Sequence, residues 1–345
     1  MKVIYSDKHQ AHQGGMELHR GELVPCYEMP SRAQFMLDAL RQADFPILPP
    51  RDFAPEHLSR VHSTDYLQFL RTAYSQWQAA GKSGFMLPSA FPARGQRQDK
   101  IPTGIHAKLG YYSYDASTPM VAGTWQAVEA GAHCALTAAA LVAEGEHSAY
   151  ALCRPPGHHA GYATFGGYCF LNNAALAAQY LRDQGKQKVV VLDVDYHHGN
   201  GTQDIFWQRD DVLTISIHGD PATEYPFFLG YADEHGEGAG LWYCHNFPLP
   251  AGTDWPTYQQ VLLKALQLIK DFNPDAMVVS LGVDTFEDDP ISAFKLKAGH
   301  YPLLGAHIAS LGLPTVFIQE GGYAVAEVGE NVAAVLQGFE QAAAL

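Results

Sequence analysis

The sequence predicts a single α/β domain in which a parallel β-sheet is flanked by helices. Short runs rich in β-branched residues alternate with longer helical stretches, which is the pattern of parallel strands joined by helical crossovers. Of the 345 residues, 47% are hydrophobic and 17% are charged, so the chain can bury a sizeable core. We expect one domain over residues 1–345, because α/β architectures often reach this length as one unit.

Short apolar runs predict six strands, at residues 2–5, 148–152, 188–192, 212–217, 276–281 and 315–318. Stretches rich in Ala and Leu, with Gly or Pro nearby to stop them, predict seven helices, at residues 31–43, 64–80, 125–143, 172–184, 254–270, 300–311 and 325–342. Such an alternation places a layer of helices on each face of the sheet.

The segment from residue 81 to residue 123 interrupts this pattern. It contains four prolines, at positions 88, 92, 102 and 119, and the aromatic pair Tyr111 and Tyr112. A loop of this length in a compact domain is either disordered or functional, and its aromatic residues favour an ordered loop. We expect it to join two subunits in a homodimer and to constrict the entrance to a neighbouring site.

Charge and cysteine content narrow the class of protein. The net charge of -14 repels phosphate backbones and attracts cationic ligands, so nucleic acid is excluded as a partner. The first residues lack the apolar core of a secretion signal, and the longest apolar run, residues 130–143, is too short to span a bilayer. The five cysteines never occur as Cys-x-x-Cys. We therefore expect a cytoplasmic protein with reduced thiols that binds no membrane.

Polar clusters follow four of the predicted strands. They are Arg-Pro-Pro-Gly-His-His at 154–159, Asp-Val-Asp-Tyr-His-His at 193–198, Gly-Val-Asp at 282–284 and Gln-Glu-Gly-Gly-Tyr at 319–323. In an open parallel sheet, the segments beyond the carboxyl ends of the strands lie side by side and form the ligand crevice. We expect the four clusters to converge on one site.

Two of these clusters contain a candidate metal site. Alternate residues of an extended segment face the same way, so Asp193, Asp195 and His197 project together. With Asp284 they allow an Asp-His-Asp ligand set with one Asp left over, which leaves positions open for water and substrate as a catalytic zinc requires. A lone Asp at a strand end usually makes turn hydrogen bonds, but this constellation favours a metal. Affinity favours Zn²⁺ over Fe²⁺, although availability in the cell can reverse that order.

The histidine pair and the final tyrosine are candidates for proton transfer and charge stabilisation. His158 and His159 stand in a Pro-Gly loop and titrate near neutral pH, so they could serve as base and acid in amide hydrolysis. Asp193 and Asn200 are the candidates for hydrogen-bond partners behind the two rings, and the carboxylate would keep its imidazole cationic more readily. Tyr323, which follows two glycines, could donate a hydrogen bond to a developing oxyanion.

Five runs match the motifs of one enzyme superfamily, namely Arg-Pro-Pro-Gly-His-His-Ala at 154–160, Gly-Gly-Tyr-Cys-Phe-Leu-Asn-Asn at 166–173, the run at 193–204, Ser-Leu-Gly-Val-Asp at 280–284 and Glu-Gly-Gly-Tyr at 320–323. They resemble the zinc deacetylases of the arginase and histone deacetylase superfamily, and within it the bacterial acetylpolyamine amidohydrolases. The similarity spans nearly the whole chain. It implies one zinc ion held by Asp195, His197 and Asp284, with the tandem histidines as base and acid and Tyr323 polarising the amide carbonyl.

The resemblance also implies how substrate is held. Gly167 would help orient the substrate amide, while Tyr168 and Tyr225 would wall an aromatic channel for a flexible chain. The chain departs from the family in the long loop, where His106 and Ser117 replace acidic residues that receive the distal ammonium groups.

Glu17 is retained and is expected to pair with an ammonium group, with Glu224 a weaker candidate. The resemblance further implies structural potassium ions bound largely through carbonyl oxygens. One site would use Asp193, Asp195, His197, Ser216 and Ile217, and the other Phe206, Arg209, Val212 and Tyr243.

We therefore expect zinc-dependent hydrolysis of small acetylated diamines and polyamines, of the acetylputrescine and acetylcadaverine class, to acetate and free amine. A protein or peptide acetyl-lysine is the alternative substrate, although an ordered loop over the crevice would narrow access for it. A dinuclear manganese site is disfavoured, because Gly199 and Phe286 stand where further carboxylates would be sought. A non-catalytic binding module is disfavoured, because binding does not need an acid, a base and an oxyanion donor together.

Overall fold

Strands and helices alternate along residues 1–344, the part of the chain that this computed structural model describes. The strands, numbered in chain order, are β1 Lys2–Ile4, β2 Met16–His19, β3 Glu22–Pro25, β4 Ile47–Leu48, β5 Ser148–Ala151, β6 Val189–Asp193, β7 Val212–Gly219, β8 Cys244–Leu249, β9 Ala276–Leu281 and β10 Thr315–Gln319. The helices are α1 Pro30–Gln42, α2 Glu56–Ser59, α3 Thr64–Ala79, α4 Ile105–Tyr111, α5 Thr124–Ala143, α6 Asn173–Asp183, α7 Asn200–Phe206, α8 Trp255–Phe272, α9 Tyr301–Ala309 and α10 Val328–Ala343.

Eight of the strands form one sheet in the order β4-β1-β5-β10-β9-β6-β7-β8, and every pairing in it is parallel. The predicted α/β fold with a parallel sheet is confirmed. The strands β6, β9 and β10, which precede three of the polar clusters, are neighbours at the centre of the sheet. Asp193 lies opposite Ser216 of β7 and Ser280 of β9, so the clusters begin at one level of the carboxyl edge.

The sheet buries side chains on both faces, because neighbouring residues of a strand point to opposite sides. Val189 and Val191 of β6 lie in the core beneath α3, α5 and α6. Val190 and Leu192 of the same strand lie in a second core beneath α1, α8, α9 and α10. Continuous apolar strands are thus explained by a sheet covered by helices on both faces.

The helix α5 is longer than the apolar run that the sequence suggested, because it begins at Thr124. By length and composition it could cross a membrane, but 78% of its most apolar window is buried inside the protein. It packs against α6 and β5. Its apolar character is therefore accounted for by its position in the core.

The structure contains every predicted strand and helix, with ends displaced by a few residues, and adds elements that the periodicity did not reveal. The hairpin of β2 and β3, the two-residue strand β4 and the short helices α2, α4 and α7 are too short to show a periodic pattern. Strand β8 mixes polar and apolar residues without a clear alternation, because only some of its side chains are buried.

The long segment at residues 81–123 is ordered against its own subunit. Met86 and Met120 pair through their backbones and are buried. Helix α4 lies within the segment. The Tyr112 ring stacks on Phe69 of α3, with 4.6 Å between the ring centroids. These contacts make the segment an ordered part of the structure, as expected. Its role in a homodimer stays a prediction.

Candidate active site

The tandem histidines lie in the loop after β5, and each ring is hydrogen-bonded from behind. The Nδ1 atom of His158 lies 2.9 Å from Oδ2 of Asp193, and the Nδ1 atom of His159 lies 2.7 Å from Oδ1 of Asn200. The centroids of the two imidazole rings are 4.1 Å apart, and both side chains are buried. The sequence-predicted partners are thus the ones that the fold brings to these rings.

The two imidazoles differ in their electrostatic surroundings. Burial by itself lowers the pKa of His158, but the negative charges of Asp193 and Asp195 outweigh it and raise the pKa well above its usual value. For His159, burial and the positive charges of His158 and His197 both act to lower the pKa, which falls well below its usual value. The pair therefore combines one ring that favours the cation and one that favours the neutral form.

The carboxyl ends of β6 and β9 bring Asp195, His197 and Asp284 together. The Nδ1 atom of His197 lies 3.0 Å from Oδ2 of Asp284 and 3.4 Å from Oδ1 of Asp195. One donor atom from each residue lies within 4.8 Å of the others, and all three side chains are buried. Backbone N–H groups of Gly321 and Tyr196 donate to the two carboxylates and fix their orientation.

The chemistry of this set fits a divalent cation. Between residues 1 and 344, neither Asp195 nor Asp284 forms an ion pair with Lys or Arg, although both are fully buried. Burial and the charge of Asp195 raise the pKa of Asp284 to about 7, and burying two adjacent carboxylates is costly without a strong counter-charge. Two carboxylates and an imidazole are ligands that zinc accepts.

A glycine maintains the space beside these ligands. A Cβ atom on Gly321 would lie 2.5 Å from Oδ2 of Asp284 and 2.6 Å from Oδ2 of Asp195, closer than real Cβ contacts. Any side chain at this position would displace the ligand carboxylates. Position 321 must therefore be glycine, because the backbone there lies too close to the two carboxylates for a side chain to fit.

Tyr323 is held against the site by contacts to both its ring and its backbone. The guanidinium carbon of Arg32 lies 4.5 Å from the centroid of the Tyr323 ring, and Nε of Arg32 donates to the carbonyl oxygen of Gly322 at 2.6 Å. The backbone N–H of Tyr323 donates to Oδ2 of Asp289 at 2.7 Å. Burial raises the pKa of the Tyr323 phenol well above its usual value, so the hydroxyl keeps its proton and can donate it in a hydrogen bond.

These groups meet at a cavity of about 1140 Å³. Its lining includes one of the tandem histidines, one residue of the Asp-His-Asp set, one glycine and four tyrosines, namely His159, His197, Gly167, Tyr114, Tyr168, Tyr225 and Tyr323. The ring of Tyr225 stands edge-on to His159, with 5.0 Å between the centroids. At the mouth, Phe228 is 87% exposed. The cavity is a channel with aromatic walls that opens to solvent.

Asp115 is a wall residue that the sequence reasoning missed. Its Oδ2 atom accepts hydrogen bonds from the backbone N–H of Gly167 at 2.6 Å and from the hydroxyl of Tyr225 at 2.7 Å. Its Oδ1 atom accepts from the hydroxyl of Thr118 at 3.0 Å. Asp115 lies in the segment 81–123, where no strand end marks it, and only its place beside Ser and Thr residues hinted at a structured turn.

Glu17 lies behind Tyr168, and its expected pairing with an ammonium group stays a prediction. Its side chain is fully buried, and its Oε1 atom accepts the hydroxyl hydrogen of Tyr168 at 2.8 Å. Burial raises the pKa of Glu17 to about 7. Glu17 therefore supports Tyr168 from behind, whereas Glu224 lies on the cavity wall itself.

The two departures in the long loop also differ in position. Ser117 lines the cavity, whereas His106 packs edge-on against Trp77, with 5.0 Å between the ring centroids. His106 thus contributes to the contact between α4 and α3.

The residues expected at the first potassium site lie where β6 and β7 are paired. Asp193 and Ser216 are register partners, and Ile217 follows on β7. The residues of the second expected site surround the connections into β7 and β8, and are Phe206, Arg209, Val212 and Tyr243.

Comparison with known proteins agrees with this architecture. A family model described as the histone deacetylase domain matches residues 26–339. Acetylpolyamine amidohydrolase 1 of Pseudomonas aeruginosa is 54% identical over 99% of this chain and 100% of its own, and the acetylpolyamine amidohydrolase of Mycoplana ramosa is 48% identical over 98% and 99%. A crystal structure of acetylpolyamine aminohydrolase from Burkholderia pseudomallei covers 99% of both chains with a TM-score of 0.95 and 39% identity. The chain therefore belongs to the histone deacetylase family, among the acetylpolyamine amidohydrolases, and is an amidohydrolase.

Proposed function

We propose that this protein removes acetyl groups from small acetylated diamines and polyamines in a zinc-dependent reaction. The observation that carries the proposal is the meeting of three groups at one channel: the histidine pair, the Asp-His-Asp set and the Tyr323 phenol. An amide hydrolase needs a proton acceptor, a proton donor and a group that stabilises the oxyanion. All three chemical types are present here on different loops.

Asp195, His197 and Asp284 would hold the zinc ion, and Fe²⁺ in the cell is compatible with the same ligands. When bound, the metal supplies Lewis-acid activation of water and of the amide carbonyl. The protein's own contribution is to fix these ligands in a buried pocket with two adjacent carboxylates, which favours a divalent cation over a neutral occupant.

His159 is the imidazole placed to transfer protons, because its ring lines the cavity and its Nδ1 atom is already bonded to Asn200. The neutral ring accepts a proton from the attacking water through Nε2 and returns it to the leaving amine nitrogen, so the proton count balances. His158, held by Asp193, keeps a positive charge beside the reacting atoms. This division of tasks is supported by the position of the His159 ring on the cavity lining and by the different partners of the two rings, Asp193 and Asn200.

The Tyr323 hydroxyl donates a hydrogen bond to the carbonyl oxygen as it gains negative charge, an interaction that strengthens toward the transition state. Along the channel, Gly167 would align the amide, and the rings of Tyr168 and Tyr225 would contact the apolar part of the chain. The net charge of -14 would attract a cationic amine to the mouth.

The named activity of the close relatives supports a polyamine substrate. The test is a turnover panel with acetylputrescine, acetylcadaverine, acetylspermidine and an acetyl-lysine peptide, measured with one equivalent of zinc per chain. We expect the small acetylated diamines to have the highest kcat/KM. A higher kcat/KM for the acetyl-lysine peptide would instead establish a peptide deacetylase with the same chemistry.

Two associated features are part of the proposal. Potassium ions would bind at the two expected sites largely through carbonyl oxygens, because hard cations prefer oxygen ligands. Replacing K⁺ by a larger organic cation should then lower the melting temperature of the protein. A homodimer formed through residues 81–123 is supported by the exposure of Phe91 and Ile101 in that segment. Sedimentation velocity would measure its mass.

A further inference from the structure

A second group of metal-binding side chains lies beside the histidine pair. His158, Cys169 and Glu320 each offer one donor atom, and these atoms lie within 4.8 Å of one another. All three side chains are buried, two of them completely. The donors are nitrogen, sulfur and oxygen, and they come from three separate loops. None of these residues belongs to the Asp195, His197 and Asp284 set.

The imidazole and the thiol each offer a donor atom for a ligand role once that atom has lost its proton. Nδ1 of His158 is bonded to Asp193, so Nε2 is the ring nitrogen that remains. A carboxylate behind an imidazole is the arrangement that commonly orients metal-bound histidines. The thiol of Cys169 donates to the carbonyl oxygen of Gly167 at 3.3 Å, which leaves the sulfur lone pairs unused.

Glu320 is the group whose position most calls for a cation. Its Oε2 atom accepts the backbone N–H groups of Gly157 at 2.6 Å and His158 at 3.0 Å, whereas its Oε1 atom has only the Ser280 hydroxyl at 3.3 Å. In residues 1–344, no Lys or Arg forms an ion pair with this fully buried carboxylate. The positive charge of His158 compensates this carboxylate in part, and a bound divalent ion would offset it more fully.

We propose that His158, Cys169 and Glu320 form a second, inhibitory binding site for a borderline-soft divalent ion such as Zn²⁺ or Cd²⁺. Three protein ligands of the His, Cys and Glu types are a set that zinc accepts. One thiolate and one carboxylate balance the charge of the ion, and binding releases the thiol proton of Cys169 and the Nε2 proton of the His158 imidazolium to solvent.

Filling this site has a defined consequence. The ion would take the Nε2 lone pair of His158, so this ring could no longer carry a proton beside the reacting atoms. Excess zinc should therefore lower kcat, whereas the first equivalent activates. This consequence rests on the proposed function, but the binding of the second ion does not, and the two can be measured separately.

Binding is tested on protein that already contains one equivalent of zinc. Cadmium is added while the ultraviolet absorbance of thiolate-to-cadmium charge transfer is followed, and zinc stoichiometry is measured by equilibrium dialysis. We expect a second equivalent in the wild type, with an absorbance change that Cys169→Ser removes. Cys244→Ser is the matched control, because Cys244 is a buried thiol on β8 outside both metal groups, and it should keep the absorbance change.

The activity arm uses the same variants. With one equivalent of zinc, Cys169→Ser should turn over like the wild type, and its inhibition by excess zinc should require at least a tenfold higher concentration. Cys169→Ala serves if the Ser variant is unstable. A single zinc equivalent in the wild type, or an absorbance change that persists without Cys169, would overturn the site. A second bound equivalent with no effect on kcat would overturn the inhibitory role but not the existence of the binding site.

Discussion

The carboxyl edge of the sheet and the long segment at residues 81–123 form two sides of the same channel, and they place their residues by different means. At the edge, Asp195 and Asp284 follow adjacent strands, so the parallel pairing itself brings them together. In the long segment, Asp115 reaches Gly167 and Tyr225 only through an irregular turn. Sheet geometry therefore locates the chemical groups, whereas individual side-chain contacts locate the wall.

The sharpest distinction between the two regions should come from metal removal, which affects the sheet edge alone. We expect a chelator to abolish activity and one equivalent of zinc per chain to restore it, because the Asp195, His197 and Asp284 set is a single site. Metal analysis alongside the activity assay checks the stoichiometry. A need for two bound ions before any turnover would contradict the mononuclear interpretation.

The next largest effects are expected at the histidine pair. His158→Ala and His159→Ala should each lower kcat by on the order of 100- to 10,000-fold, the usual range for lost acid–base groups. Zinc content should stay near one per chain, since neither ring belongs to the Asp195, His197 and Asp284 set. If either variant loses its zinc, that histidine is a ligand and the coordination proposed above is incorrect.

The sequence could predict the residues at the carboxyl edge of the sheet, because the end of a parallel strand fixes where the following residues lie and which strands lie beside them. Asp193 ends β6, and Asp195 and His197 follow it directly, so the strand end alone brings them to the carboxyl edge of the sheet. The partner of each imidazole lies in the same stretch of chain. Glu17 could not be placed in this way, because its burial behind Tyr168 depends on how a short hairpin packs against a distant loop. No periodic pattern encodes that contact.

Tyr323 links the two regions, since it follows β10 but shares the cavity with the wall residues. Tyr323→Phe should lower kcat by about 100-fold, the scale of a lost oxyanion donor, with little change in KM. Circular dichroism and zinc content should match the wild type, because the ring and its contact with Arg32 are retained. Turnover at the wild-type rate would remove this hydroxyl from the mechanism.

On the wall, Asp115→Asn should have an intermediate effect. The variant keeps one oxygen acceptor but loses the charge that binds the Gly167 N–H and the Tyr225 hydroxyl, so kcat/KM should fall by about 10-fold. Ser117→Ala is a control from the same turn, since Ser117 contributes only its backbone N–H to Asp115. Equal decreases in kcat/KM for the two variants would show that any substitution in this turn is harmful. The Asp115 carboxylate would then have no specific role.

The smallest effect is expected at Glu17, and it separates support of the wall from recognition of charge. Because Glu17 is buried and bonded to Tyr168, Glu17→Gln should raise KM by only a few-fold, through a less firmly held Tyr168 ring. That increase should be the same for acetylcadaverine and for an uncharged acetylated alkylamine, since both contact the ring. A larger increase for acetylcadaverine would mean that the carboxylate acts on the distal ammonium across the phenol. The wall would then recognise charge through buried groups, and the position of Glu17 would be as much a part of substrate selection as the cavity lining.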